Sequence, residues 1–135
     1  MNLEEYLDGV LRRKFKWGSA DCCCFAFDWV RARRDVDPME PWRGKYSDQA
    51  SAIRQYAKSG GLDAVIAKRM DDLGFVRTDD PETGDVGIIR APTGMRNGAP
   101  VMGPVAAIRC GPRWLAMHLD GLVGYDFEQL AAWKI

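Results

Sequence analysis

Apolar side chains recur at Leu3, Leu7, Val10, Leu11 and Phe15, the three-and-four spacing that gathers one face of an α-helix. Asn2 followed three residues later by Glu5 forms a capping-box pair, so the pattern predicts a first helix over residues 3–15, stopped at Gly18 within Lys16-Trp17-Gly18-Ser19. Asp21 is placed to cap a second helix over residues 22–35, which ends before Asp37-Pro38 because a proline drives its predecessor out of the helical region. Pro38, Pro41 and Gly44 mark a loop, after which Ser47 or Asp48 can cap a third helix carrying Ala50, Ile53, Tyr56 and Ala57, stopped by Gly60-Gly61. A fourth helix has Leu62, Val65, Ile66 and Met70 on one face and ends at Gly74.

Beyond Gly74 the period changes. Short apolar runs bounded by Gly and Pro predict strands at 75–77, 85–90, 105–109, 114–118 and 122–125, with residues 91–104 as a long Pro/Gly-rich connection. Asp126 is positioned to cap a last short helix through Trp133. Helices first and strands second is the signature of an α+β fold, its helices packed on one side of a small antiparallel sheet. The 135 residues suit a single domain with one core.

Composition narrows the function classes. Nineteen basic and nineteen acidic side chains balance, which argues against nucleic acid as the main partner. No apolar run approaches the roughly 18 residues that span a bilayer, and the start Met-Asn-Leu-Glu-Glu-Tyr is acidic rather than a signal, so folding in a cytoplasm is expected. Three of the four cysteines are adjacent, Cys22, Cys23 and Cys24, with Cys110 far away. That spacing does not suit a disulfide scaffold, and reduced thiols are the expectation.

The cysteine run holds the candidate chemistry. At about 100° per residue, Cys24, Asp28, Arg31 and Asp35 fall on one polar stripe that should face solvent. Cys22 points away from it with Phe25, Ala26 and Trp29, towards the rest of the protein, and Cys23 goes inward with Phe27 and Val30. Consecutive helical residues cannot converge on one tetrahedral metal, and no CxxC pair completes a site, so neither metal nor cofactor is expected. Two readings stay open for Cys22. A thiol in the first turn of a helix is favoured as thiolate by unpaired N–H groups and the dipole, whereas free cysteine is also common as small apolar filler. The single histidine, His118, alternates with Trp114 and Ala116 away from Leu115, Met117 and Leu119. This places it off the main core face, where a lone histidine can be a solvated or hydrogen-bonded surface residue or a base; Asp120 could orient it, and Asp120-Gly121 equally reads as a hairpin turn. Among the tryptophans, Trp17, Trp42, Trp114 and Trp133 can serve either an interface or the core.

Trp17-Gly18-Ser19-Ala20-Asp21-Cys22, followed by an aromatic-rich helix and then by Thr83-Gly84-Asp85-Val86-Gly87-Ile88-Ile89 opening a set of strands, resembles the NlpC-type papain-like cysteine peptidases. More closely, Asp21-Cys22, Asp28-Trp29-Val30-Arg31-Ala32, Asp37-Pro38, Arg43-Gly44-Lys45-Tyr46, Gly60-Gly61-Leu62 and Ala132-Trp133-Lys134-Ile135 resemble, over nearly the whole chain, small phage and prophage proteins of tail assembly. The resemblance implies a papain-like fold, Cys22 as nucleophile, other tail proteins as partners, and residence in the host cytoplasm and then in the virion tail. It also implies a histidine at the head of the strand after the Gly-Asp strand. There the chain has Met102-Gly103-Pro104-Val105-Ala106, and His118 lies one strand later. The expectation is a tail-tip or tail-assembly protein that has lost hydrolysis. The alternative is an active peptidoglycan endopeptidase or amidase using Cys22 with His118 as base.

Overall fold

A computed structural model describes residues 1–58 and 60–135, Tyr125 by its backbone alone. Four helices precede five strands: α1 Leu3–Val10, α2 Cys22–Arg34, α3 Gln49–Ala57, α4 Leu62–Asp72, then β1 Val86–Arg96, β2 Ala99–Cys110, β3 Arg113–His118, β4 Gly121–Tyr125 and β5 Gln129–Trp133. The strands form one antiparallel sheet in the order β4-β3-β2-β1-β5. The α+β expectation therefore holds at the level of architecture. Among the described residues no helix is long and apolar enough to cross a membrane.

The helix starts follow their caps. Asn2 and Glu5 form the capping box of α1, Asp21 caps α2, and Asp48 caps α3 in a second box with Ser51. The first helix is shorter than its apolar spacing predicts and ends at Val10. Phe15 instead packs edge-on to Trp17, ring centres 4.9 Å apart, in a loop tied by the Lys16 and Ala20 backbones.

Three expectations for the C-terminal half are corrected. Residues 91–104 are not a loop: β1 and β2 run on as a two-stranded ribbon to a turn at Asn97-Gly98, whose φ angles of 52° and 77° are the left-handed pair that a tight hairpin requires. Prolines are tolerated on this ribbon because pairing with β5 covers only Val86 to Ile89, so Pro92 has no further strand to bond. Residues 75–77 form no strand, only a single bridge between Arg77 and Trp133. The segment after Asp126 is not a helix but β5, pairing Trp133 with Val86 and Ala132 with Gly87. An eight-residue helix is marginal by itself; hydrogen bonding along the open edge of β1, with complete burial of Trp133, wins.

Both faces of the sheet are buried. Between helices and sheet lie Phe25, Trp29, Ile66, Met70, Ile88 and Ile108 with Trp133. On the second face Ile89, Ala91, Val105, Ala107, Trp114, Ala116 and Ala132 form their own cluster. Trp114 covers Gly87 of β1: a Cβ there would stand 2.7 Å from the indole Cη2 and 2.8 Å from the Ala131 carbonyl oxygen. Trp114 and Trp133 are thus core residues, while Trp17 and Trp42 are half-buried.

Candidate functional site

The site is organised by the cap of α2. Asp21 is only 1% exposed. Its Oδ1 accepts from the Cys24 N–H at 2.9 Å, and its Oδ2 accepts from the Gly18 N–H at 2.8 Å and the Tyr46 hydroxyl at 2.7 Å. The Tyr56 hydroxyl donates to that of Tyr46 at 3.4 Å. One carboxylate therefore ties the incoming loop, the first turn of α2, the segment before α3 and, through Tyr56, α3 itself. Gly18 is required twice over: its φ is +87°, and a Cβ would overlap the carbonyl oxygen of Tyr46. The sequence motif Trp-Gly-Ser-Ala-Asp-Cys is a device for starting this helix.

The three thiols diverge, as consecutive helical positions must, but not all in the expected directions. Cys22 is half-buried and packs against both core clusters, so it faces the sheet. Cys23 is buried; its hydrogen bond with the Cys22 thiol and then desolvation hold its own thiol well above the ordinary range. Cys24 corrects the sequence reading. It is fully buried rather than solvated, and burial, reinforced by the Asp21 charge, pushes its thiol up to about 12. The cause is non-local. The segment between α2 and α3 lies over the polar stripe, with Met39 fully buried and Arg43 bridging Asp28 and Asp37 at 2.6 Å each.

Cys22 opens onto a half-open cavity of about 370 Å³. Phe15, Trp17, Ile53 and Leu62 line it from the helical half, Pro92, Thr93, Gly103, Pro104 and Val105 from β1 and β2, and Met117, His118 and Leu119 from the end of β3. The cavity thus brings the two predicted site residues, Cys22 and His118, to one wall system. Antiparallel order accounts for it: β3 runs back along β2, pairing Leu115 with Ile108, so its last residue, His118, reaches the cavity that Gly103, Pro104 and Val105 also line. His118 itself is half-buried, and Trp114 and Ala116, with which it alternates, belong to the buried second cluster rather than to a solvent face. Tyr46, Tyr56 and Gln49 also line the cavity. The sequence reading assigned them no part in the site; the signal available was an aromatic at Arg43-Gly44-Lys45-Tyr46 and another on the inward side of α3.

Burial lowers the His118 pKa below its ordinary value, against the attraction of Asp120, which raises it. Burial thus favours the neutral imidazole. A histidine depressed in the folded state contributes stability that is complete above the unfolded-state value of about 6.5 and is lost progressively as pH falls from there through the lower folded-state value. The wild type is accordingly expected to lose more unfolding free energy between pH 7 and pH 5 than His118→Gln, as read by urea denaturation at each pH. Equal losses would place the imidazole in solvent.

Residues 1–135 match a family described as a domain of unknown function, DUF6950. The chain belongs to that family. No curated protein and no solved structure matches this DUF6950 chain significantly. Among the described residues no group of three or more His, Cys, Asp or Glu side chains is placed to hold a metal ion.

Proposed function

We propose that this DUF6950 protein is a phage tail-tip or tail-assembly component with a papain-like, NlpC-type fold whose cysteine site serves binding rather than hydrolysis. Its partners are other tail proteins, met first in the host cytoplasm and then in the virion tail. The order of short motifs along nearly the whole chain supports the setting. An α+β architecture with Cys22 in the first turn of a helix packed on an antiparallel sheet supports the fold.

The observation that carries the loss of hydrolysis is the cavity wall at the head of the main body of β2. A general base must stand within hydrogen-bond reach of the thiol, about 3 Å. Where the resemblance puts that base the wall is Gly103, Pro104 and Val105, none of which can take a proton. In a phage deleted for this gene, a Cys22→Ser copy is expected to restore infectious titre to within about twofold of wild type. A folded Cys22→Ser protein that fails to restore titre would contradict the proposal.

One observation favours a second reading. His118 lines the same cavity, and burial favours its neutral form. In a hydrolase it would take the Cys22 proton and pass it to the leaving amine, with the α2 N-terminus facing the oxyanion. The two readings differ in whether the thiol's reactivity depends on the imidazole.

A further inference from the structure

We infer that the cavity beside Cys22 is a binding site for an uncharged aliphatic chain, such as that of an acyl ester or a long alcohol. The inference rests on the proposal above that this cavity is the protein's working surface. Its volume of about 370 Å³ is more than twice the ~150 Å³ of an apolar cavity that holds benzene, which gives room for a chain of roughly ten carbons. Phe15, Trp17, Ile53, Leu62, Val105 and Met117 supply apolar walls from both halves of the fold.

Hydrogen bonding selects a chain over a sugar or a polar peptide. Polar ligands are held by wall groups with spare donors and acceptors, and here Asp21, Tyr46, Tyr56, Gln49 and Thr93 each direct hydrogen bonds to the protein itself. Asp21 takes the Gly18 and Cys24 N–H groups and the Tyr46 hydroxyl. The Tyr56 hydroxyl is directed to Tyr46. The Gln49 side-chain amide donates to the Thr93 carbonyl at 2.9 Å, and the Thr93 hydroxyl donates to the Val101 carbonyl at 3.2 Å. No Lys, Arg or Glu stands among the described lining residues, so an anionic head group finds no Lys or Arg inside, and the lining carboxylate of Asp21 is 1% exposed and already takes three hydrogen bonds, so a cationic head group also remains at the mouth. There Ile53 and Leu119, 60% and 71% exposed, carry the apolar surface out towards solvent.

The test uses the purified full chain and iodoacetamide labelling, resolved by site by peptide mass spectrometry. Cys22 reports the cavity, and Cys110, half-buried at the far end of β2, is the internal control. Saturating 1-decanol is expected to slow Cys22 labelling at least fivefold without changing Cys110, whereas 1-butanol at the same concentration leaves both unchanged. Ile53→Glu and Leu119→Glu, both at exposed positions and checked for fold by circular dichroism, are expected to weaken decanol protection at least fivefold. Phosphatidylcholine vesicles form the third arm: protection there assigns a chain drawn from a bilayer, and protection by decanol alone assigns a free amphiphile. No protection by decanol, equal protection by butanol, or equal slowing at Cys110 overturns the inference. Amide turnover by the protein would refute the non-hydrolytic proposal while leaving a decanol effect standing, so the two fail separately.

Discussion

Replacing Asp21 with alanine is expected to lower the unfolding free energy by about 3–5 kcal/mol, a large part of the stability of a domain this size. The carboxylate is 1% exposed and accepts three hydrogen bonds. Removing it deletes the cap of α2, worth about 1 kcal/mol alone. It also strands the Gly18 N–H and the Tyr46 hydroxyl in a buried setting, at about 1–3 kcal/mol for each donor left unpaired. Asp21→Asn keeps one acceptor oxygen and should lose roughly half as much. The check is the urea midpoint at constant slope. Because Asp21 also anchors Tyr46, folded Asp21→Ala should expose Cys23 to iodoacetamide, which the wild type protects. A loss below about 1 kcal/mol would show that the three donors find water instead.

Trp114→Ala is expected to cost about 3–5 kcal/mol, the range for emptying a fully buried aromatic site. Its indole fills the space above Gly87, so the two positions are coupled. Gly87→Ala drives a methyl to within 2.7 Å of the indole and 2.8 Å of the Ala131 carbonyl oxygen, an overpacking cost of about 2–3 kcal/mol. In the Trp114→Ala background the indole clash is gone and the carbonyl clash remains. Gly87→Ala should then cost at least about 1 kcal/mol less than in wild type. Additive costs would mean that Trp114 does not cover Gly87.

These two sites also mark what was legible in the sequence. Asn2, Asp21 and Asp48 identify three helix starts, because a cap is a local interaction between residues three apart. The inward face of α4, Val65, Ile66 and Met70, follows from period alone. Most of the failures are non-local. Periodicity put Cys24 on a polar stripe correctly but could not supply the Arg43 segment that covers it. The end of the chain carries a helix-compatible sequence, yet the open edge of β1 takes it as a strand. In the Pro/Gly ribbon a local signal is outweighed: Asn97-Gly98 is a hairpin turn pair, but three prolines argue against strand wherever a second neighbour is assumed.

The site was half legible. Cys22 facing the sheet followed from helix geometry, and the topology adds what no spacing contained: the end of β3 returns beside β2, bringing His118 to the same cavity. Sharing a cavity is a weaker relation than sharing a proton, and the central claim concerns the second. The most direct measurement is the rate at which iodoacetamide labels Cys22 at pH 7, in wild type and in His118→Ala, with Cys110 in the same sample as reference. A binding site without a catalytic base predicts Cys22 rates within about twofold of each other. A fall of tenfold or more on removing the imidazole, with Cys110 unchanged, would contradict the account and make Cys22 and His118 a working catalytic pair.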